Sequence, residues 1–155
     1  MPSDPPGFEL PLRLLIGFRM LIDDLHAELA RRGHPGMRPM HGFVMQAIGV
    51  EGTTAVELGR RLGITKQAAG KTVATLERLG YVERACDPGD ARRKIVRLTP
   101  HGLESLALSA RIFDDLRERW ARTLGRERMG AFEADLRALT AGEVFRLDVP
   151  GWFGD

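Results

Sequence analysis

Cysteine is nearly absent: Cys86 stands alone, which excludes an intramolecular disulfide framework and a cysteine-rich zinc centre and suits a reducing compartment. The histidines His26, His34, His41 and His101 do not fall at a recognised metal-ligand spacing, so no metal is expected. Also missing are a phosphate-binding glycine loop, a nucleophile elbow and a metal-binding helix motif, which leaves no basis for an enzyme or a cofactor. The segment from Leu10 to Leu29 contains Arg13, Arg19, Asp23 and Asp24, each costing about 2.5–3.5 kcal/mol at mid-membrane, and therefore reads as a packed helix with no membrane partner. The opening MPSDPPGFELP lacks the basic start and apolar stretch of a secretory signal, so a cytoplasmic location is expected. There is no internal repeat or low-complexity tract.

The net charge of +2 is too small to identify a partner, but its distribution is uneven. Residues 51–99 hold ten Lys/Arg against six Asp/Glu, whereas the rest holds thirteen against fifteen. Positive charge is concentrated in one lobe. Arginine outnumbers lysine twenty to three, a bias of composition that by itself carries no functional weight.

Periodicity divides the chain into six helices and one hairpin. After a flexible lead, Leu14, Phe18, Leu21 and Leu25 recur at helical spacing, with Leu15, Ile22 and Leu29 widening the stripe, which predicts a helix from about Leu10 to Arg32. Gly33, Pro35, Gly36 and Pro39 break it, and a second helix is expected to Ile48. Thr53 or Thr54 can cap a third, about Ala55 to Arg61, with Val56, Leu58 and Leu62 inward. Thr65 can cap a fourth that stops at Gly80, a residue suited to the left-handed position past a helix end. Leu62-Gly63-Ile64 then joins a helix-turn-helix pair. Next the period changes to extended: Tyr81 to Cys86, a turn at Asp87-Pro88-Gly89-Asp90, and Lys94 to Thr99. Thr99-Pro100 starts a fifth helix of about 24 residues with Leu103, Leu106, Ala110, Phe113, Trp120 and Leu124 on one stripe. A sixth, about Glu127 to Leu139, carries Met129, Phe132, Leu136 and Leu139. The tail, with Val144, Phe145, Leu147, Val149, Trp152 and Phe153, is too apolar for a free end.

The fold class expected is mainly α with a small β-hairpin (α+β), a winged helix-turn-helix with long flanking helices. On the fourth helix Ala69, Thr72, Val73, Leu76 and Leu79 form the inward stripe, leaving Lys66, Gln67, Gly70, Lys71, Ala74 and Arg78 outside. Gln67 can pair with an adenine edge, Lys66 and Lys71 can reach guanine acceptors or phosphates, and Thr65 marks a helix start that favours an anion. Gly70 costs about 1 kcal/mol relative to alanine inside a helix, and on the outer face would permit close approach to a nucleic-acid backbone. The alternative is a solvated polar face with an incidental glycine. Arg92, Arg93 and Lys94 gather beside the tight turn, where arginine can enter a narrow minor groove, and Asp90 is near enough to fix the Arg92 guanidinium. The alternative there is a surface ion pair on a mobile loop.

These residues resemble the winged-helix core of MarR-type transcriptional regulators over about residues 51–102, most specifically in Leu76-Glu77-Arg78-Leu79-Gly80-Tyr81-Val82 leading to Arg84, in Asp90-Ala91-Arg92, and in Leu98-Thr99 followed by Gly102. The resemblance implies a homodimer binding pseudo-palindromic double-stranded DNA, acting as a repressor released by a small aromatic or phenolic effector. It implies Thr65, Lys66, Gln67 and Lys71 in the major groove, Arg92 braced by Asp90 in the minor groove, and dimer contacts that include Leu14, Phe113, Leu116, Phe132 and Leu136. Domains follow as 1–36 (lead and dimerisation helix), 37–99 (DNA-binding lobe) and 100–155 (dimerisation helices and tail). The second helix departs from the family's commoner Leu-Thr-x-x-Gln opening, with His34 to Gly42 in its place. Phe18, Arg38, His41, Phe43 and Met45 are candidates for lining an effector pocket there; a histidine at a helix start is otherwise a cap or core group. Peroxide-sensing members carry a cysteine in the first helix, which has none here, so Cys86 is expected to be an inert packed thiol. A competing function is a winged-helix protein-interaction adaptor that does not bind DNA.

Overall fold

A computed structural model describes residues 3–146 and contains six helices and a two-stranded antiparallel hairpin. The elements are α1 (Glu9–Arg31), α2 (Pro39–Ile48), α3 (Ala55–Leu62), α4 (Lys66–Arg78), β1 (Val82–Asp87), β2 (Asp90–Leu98), α5 (Pro100–Leu124) and α6 (Arg126–Leu139). This is the winged helix-turn-helix expected. Its helix starts are chemically explicit: the hydroxyls of Thr54, Thr65 and Thr99 accept from the backbone N–H groups of Glu57 (3.2 Å), Ala68 (3.0 Å) and Gly102 (3.1 Å). Each satisfies a donor that the first helical turn leaves without a partner.

One continuous core ties the elements together. Leu25 and Leu29 of α1, Val44, Met45 and Ile48 of α2, Leu58 and Leu62 of α3, Val73 and Leu76 of α4, Val96 and Leu98 of β2, and Leu108, Ile112 and Leu116 of α5 share it. A bridge between Thr53 and Val96, with backbone bonds of 2.9 and 2.7 Å, adds the α2–α3 connection to the hairpin. No described helix is long and apolar enough to cross a membrane.

Three expectations change. Val56 is 60% exposed, because the buried face of the short α3 carries Leu58, Gly59 and Leu62 and Val56 points away from it. On α5 the buried residues are Gly102, Ser105, Leu108, Ser109, Ile112, Leu116 and Ala121, whereas Leu103 is exposed and Phe113, Trp120 and Leu124 are half-buried. Two serines can lie in that core because their hydroxyls donate to carbonyls of their own helix, Gly102 and Ser105, both at 2.8 Å. Strand β2 begins at Asp90, four residues early, because Pro88-Gly89 makes a two-residue turn. Phe145 stacks on Phe43 with ring centroids 4.6 Å apart; the apolar tail residues Leu147, Val149, Trp152 and Phe153 lie outside the described residues.

The first half of α1 is left bare. Leu10, Leu14, Leu15 and Phe18 are exposed, and Leu10, Leu14 and Phe18 line a broad apolar groove with Trp120 of α5 and Phe132 and Leu136 of α6. A bidentate ion pair between Arg117 and Glu133 holds α5 to α6 at its edge.

Candidate nucleic-acid interface

The α3–α4 pair is set by a close approach of backbone. A Cβ on Gly59 would stand 2.8 Å from the Ile64 carbonyl oxygen, so only glycine lets the turn fold back against α3. Sequence reasoning missed Gly59; its signal was a glycine inside an eight-residue helix, four positions before Gly63. The buried residues of α4 are Ala69, Val73 and Leu76, and the opposite face presents Lys66, Gln67 and Lys71 to solvent. Gly70 lies among them, half-buried, and nothing stands within 4 Å of where its Cβ would be. Thr65 is exposed at the helix start, but its hydroxyl oxygen is occupied by the cap.

The hairpin is attached to α4 by Arg84, whose Nη2 donates to the Gly70 carbonyl at 3.3 Å and whose guanidinium lies 4.0 Å from Glu77. Pairing runs from Val82↔Leu98 to Cys86↔Lys94 and then jumps to Asp87↔Asp90, so Ala91, Arg92 and Arg93 form a bulge with no opposite residues on β1. Both arginines are exposed there. Asp90 braces this bulge differently from the expected way: its carboxylate accepts from the Arg92 backbone N–H at 3.0 Å, leaving the guanidinium unbonded. Lys94 is exposed, and its Nζ donates to the Cys86 sulfur at 3.6 Å. Cys86 is therefore an exposed thiol rather than a packed one, because it shares the face of Val82 but stands near the hairpin turn, beyond the core that covers Val82 and Val96.

Behind the lobe, the proposed pocket residues do not converge on one cavity. Met45 is fully buried in the core. His41 is buried too, and its Nδ1 accepts from the Arg38 backbone N–H at 3.0 Å, a cap of α2 in which Arg38 stays exposed. Burial first, then the charge of Arg38 and the nearby His26, hold the His41 pKa below its ordinary value. Phe18 and Phe43 stack at 6.4 Å, but only Phe43 lines the small cavity that does exist, between α1, α2 and α5, with Ile22, Leu25, Leu29, Met37 and Phe113.

His26 also lines that cavity and was not singled out as a pocket residue. Its Nδ1 donates to the Ile22 carbonyl at 2.8 Å, and its Nε2 is buried with no hydrogen-bond partner among the described residues. A position one residue beyond Leu25 on an apolar stripe was the available signal. Of the five dimer candidates, Leu14 and Phe132 are exposed and Phe113 and Leu136 half-buried. Leu116 is 2% exposed within the chain's own core, so it has no area left for a partner.

Residues 36–93 match the sequence profile of the MarR family. A comparison of the sequence with curated proteins finds no match. Among solved structures, FabT of Streptococcus pneumoniae in complex with DNA superposes with a TM-score of 0.71 at 20% identity, over 84% of this chain and 92% of that one. The transcriptional regulator Tm0710 from Thermotoga maritima gives 0.59 at 26% identity, over 87% and 92%. Apo MarR from E. coli gives 0.65 at 21%, over 88% and 98%.

Proposed function

The chain carries the winged helix-turn-helix of the MarR family over residues 36–93, and from that premise we propose that it is a homodimeric, sequence-specific repressor whose DNA binding is released by a small molecule. The observation that carries the reading is a pair of joined elements: exposed Lys66, Gln67 and Lys71 beside the half-buried Gly70 on α4, and exposed Arg92, Arg93 and Lys94 on the wing that Arg84 ties to the same helix. In this reading residues 37–99 are the DNA lobe. Helix α4 enters the major groove, Gln67 and the lysines meet base edges and phosphates, and the bulged Arg92 reaches the minor groove.

The bare apolar surface of α1, α5 and α6 supports a second copy as its cover, with Leu14, Phe18, Phe132 and Leu136 at the contact. Residues 3–36 and 100–146 then act as dimer arms, and two reading helices address half-sites about 10 base pairs apart. The cavity between α1, α2 and α5 joins arm to lobe. An aromatic molecule with a hydroxyl would fill its apolar walls and donate to His26 Nε2.

The test is binding to the double-stranded fragment flanking the chain's own gene at several salt concentrations, with Lys71→Ala and Arg92→Ala as variants. Both are expected to weaken binding. Salt-independent or unchanged binding would instead favour a protein-interaction adaptor.

A further inference from the structure

Three rings from three separate elements pack together where arm meets lobe. His34 lies in the connection from α1 to α2, Tyr81 follows α4 and enters β1, and His101 is the second residue of α5. His34 Nδ1 and the Tyr81 hydroxyl are hydrogen-bonded at 2.8 Å, although 47 residues separate them in sequence. His101 lies flat on Tyr81, with centroids 4.6 Å apart and planes 9° apart, and stacks on His34 at 4.8 Å. His34 is only 3% exposed, whereas His101 is open to solvent.

Two of these three elements are joined by backbone. The Tyr81 carbonyl accepts from the Thr99 N–H at 3.0 Å, the Thr99 hydroxyl donates to the Gly80 carbonyl at 2.6 Å, and a Cβ on Gly102 would stand 2.1 Å from the Tyr81 oxygen. The end of α4 and the start of α5 therefore move as one piece. The α1–α2 connection has no such bond to that piece and is held to it by the His34 ring, with Leu79 against Gly36 beside it. What loosens His34 loosens the α1–α2 connection from the end of the reading helix, while Leu25 and Leu29 keep α1 in the common core.

We propose that the His34–Tyr81–His101 stack is an acid-sensitive joint: when both imidazoles carry a proton the α1–α2 connection detaches from the α4–α5 piece, and DNA affinity falls. Two positive rings with centroids 4.8 Å apart repel, and a charge on His34 loses its water on burial. The charged and titratable groups facing His34 are His101 and Glu104 from α5 and the Tyr81 phenol from the β1 entry. Burial, then His101, lower the His34 pKa, and Glu104 opposes them more weakly. The neutral ring therefore belongs to the closed joint; the Glu104 carboxylate, on α5, works against detachment but is outweighed by burial and by His101. Affinity is full above about pH 6.5, the ordinary histidine value, and is lost as pH falls below it. General electrostatics runs the other way, since added positive charge strengthens phosphate binding. That opposite sign isolates the joint.

The DNA arm of this inference rests on the proposed function, so the test has a readout without DNA. Tyr81 is the single tyrosine of the chain, and incorporating 3-fluorotyrosine gives one ¹⁹F resonance at the joint. That resonance is expected to move between pH 7.5 and 5.5, to move far less in His34→Asn and His101→Asn, and to keep moving in His41→Asn. Over the same range binding to the gene-flanking fragment is expected to weaken at least tenfold in the native chain and less than twofold in the two joint variants. A stationary resonance overturns the joint. A moving resonance with pH-independent DNA affinity overturns its coupling to the reading helix. If no DNA binds at any pH, the proposed function and the coupling both fail, while the resonance still decides whether the joint titrates.

Discussion

Gly70→Ala is expected to make the protein more stable and its DNA binding weaker, two effects of opposite sign from one methyl group. Gly70 is the fifth of thirteen residues in α4, and its backbone is already helical. Alanine in a helix interior is favoured over glycine by about 1 kcal/mol. Nothing within 4 Å opposes the added Cβ, and the bond from Arg84 goes to the Gly70 carbonyl, which the substitution leaves in place. For a chain of this size that gain corresponds to a melting-temperature increase of roughly 2–4 °C. On the DNA side, the methyl stands on the surface that carries Lys66, Gln67 and Lys71. Forcing a methylene into a close-packed contact costs about 1–3 kcal/mol, a loss of affinity of about five- to 150-fold. Thermal denaturation followed by circular dichroism reads the first effect, and fluorescence anisotropy of a labelled DNA fragment reads the second. Unchanged affinity in a stabilised variant would refute close approach of DNA to this face; a lowered melting temperature would refute the open surroundings of Gly70.

Gly102→Ala has the opposite expectation for stability, because its Cβ would overlap the Tyr81 carbonyl; a loss of about 2–4 kcal/mol should appear in a urea titration, and a melting temperature equal to that of the native chain would contradict the contact. Leu14→Glu together with Phe132→Glu should convert the proposed dimer to monomer in analytical ultracentrifugation with the helix content retained, since both side chains are exposed on the apolar groove. Stability should fall as pH drops below about 6.5, because burial holds His34 and His41 neutral when folded and the unfolded chain then binds more protons. Urea midpoints at pH 7.5, 6.5 and 5.5 measure this. Glu57 and Glu133, lowered by hydrogen bonds from Arg60 and Arg117, act in the same sense, but only as pH falls through the carboxylate range, and so do not enter that window.

What the sequence made legible was local. Threonine caps, the change of period after Gly80 and the polar outer face of α4 locate the elements and the exposed side of α4, because each depends on neighbours within a few residues. The buried side of α5 was misread because Ser105 and Ser109 look polar in sequence and bury by bonding to their own helix. Leu116 was given to a partner although the same chain covers it, and Asp90 was given to a guanidinium although the nearer donor is a backbone N–H. The joint of His34, Tyr81 and His101 left no periodic trace, since its members come from three elements. Gly102 was recognisable as part of a motif, but the reason for it, contact with a carbonyl 21 residues earlier, is visible only in three dimensions.

The most direct test of the account is the salt dependence of DNA binding by the native chain and by Arg92→Ala and Lys71→Ala. Each phosphate contact contributes about 0.9 to the slope of log affinity against log salt, and a dimer loses two contacts per substitution. The account predicts a steep slope for the native chain, weaker binding by both variants, and a slope reduced by about 1.8 for each cation that meets phosphate. Binding that ignores salt, or native affinity and slope in both variants, would contradict the assignment of α4 and the wing as the DNA-reading surface.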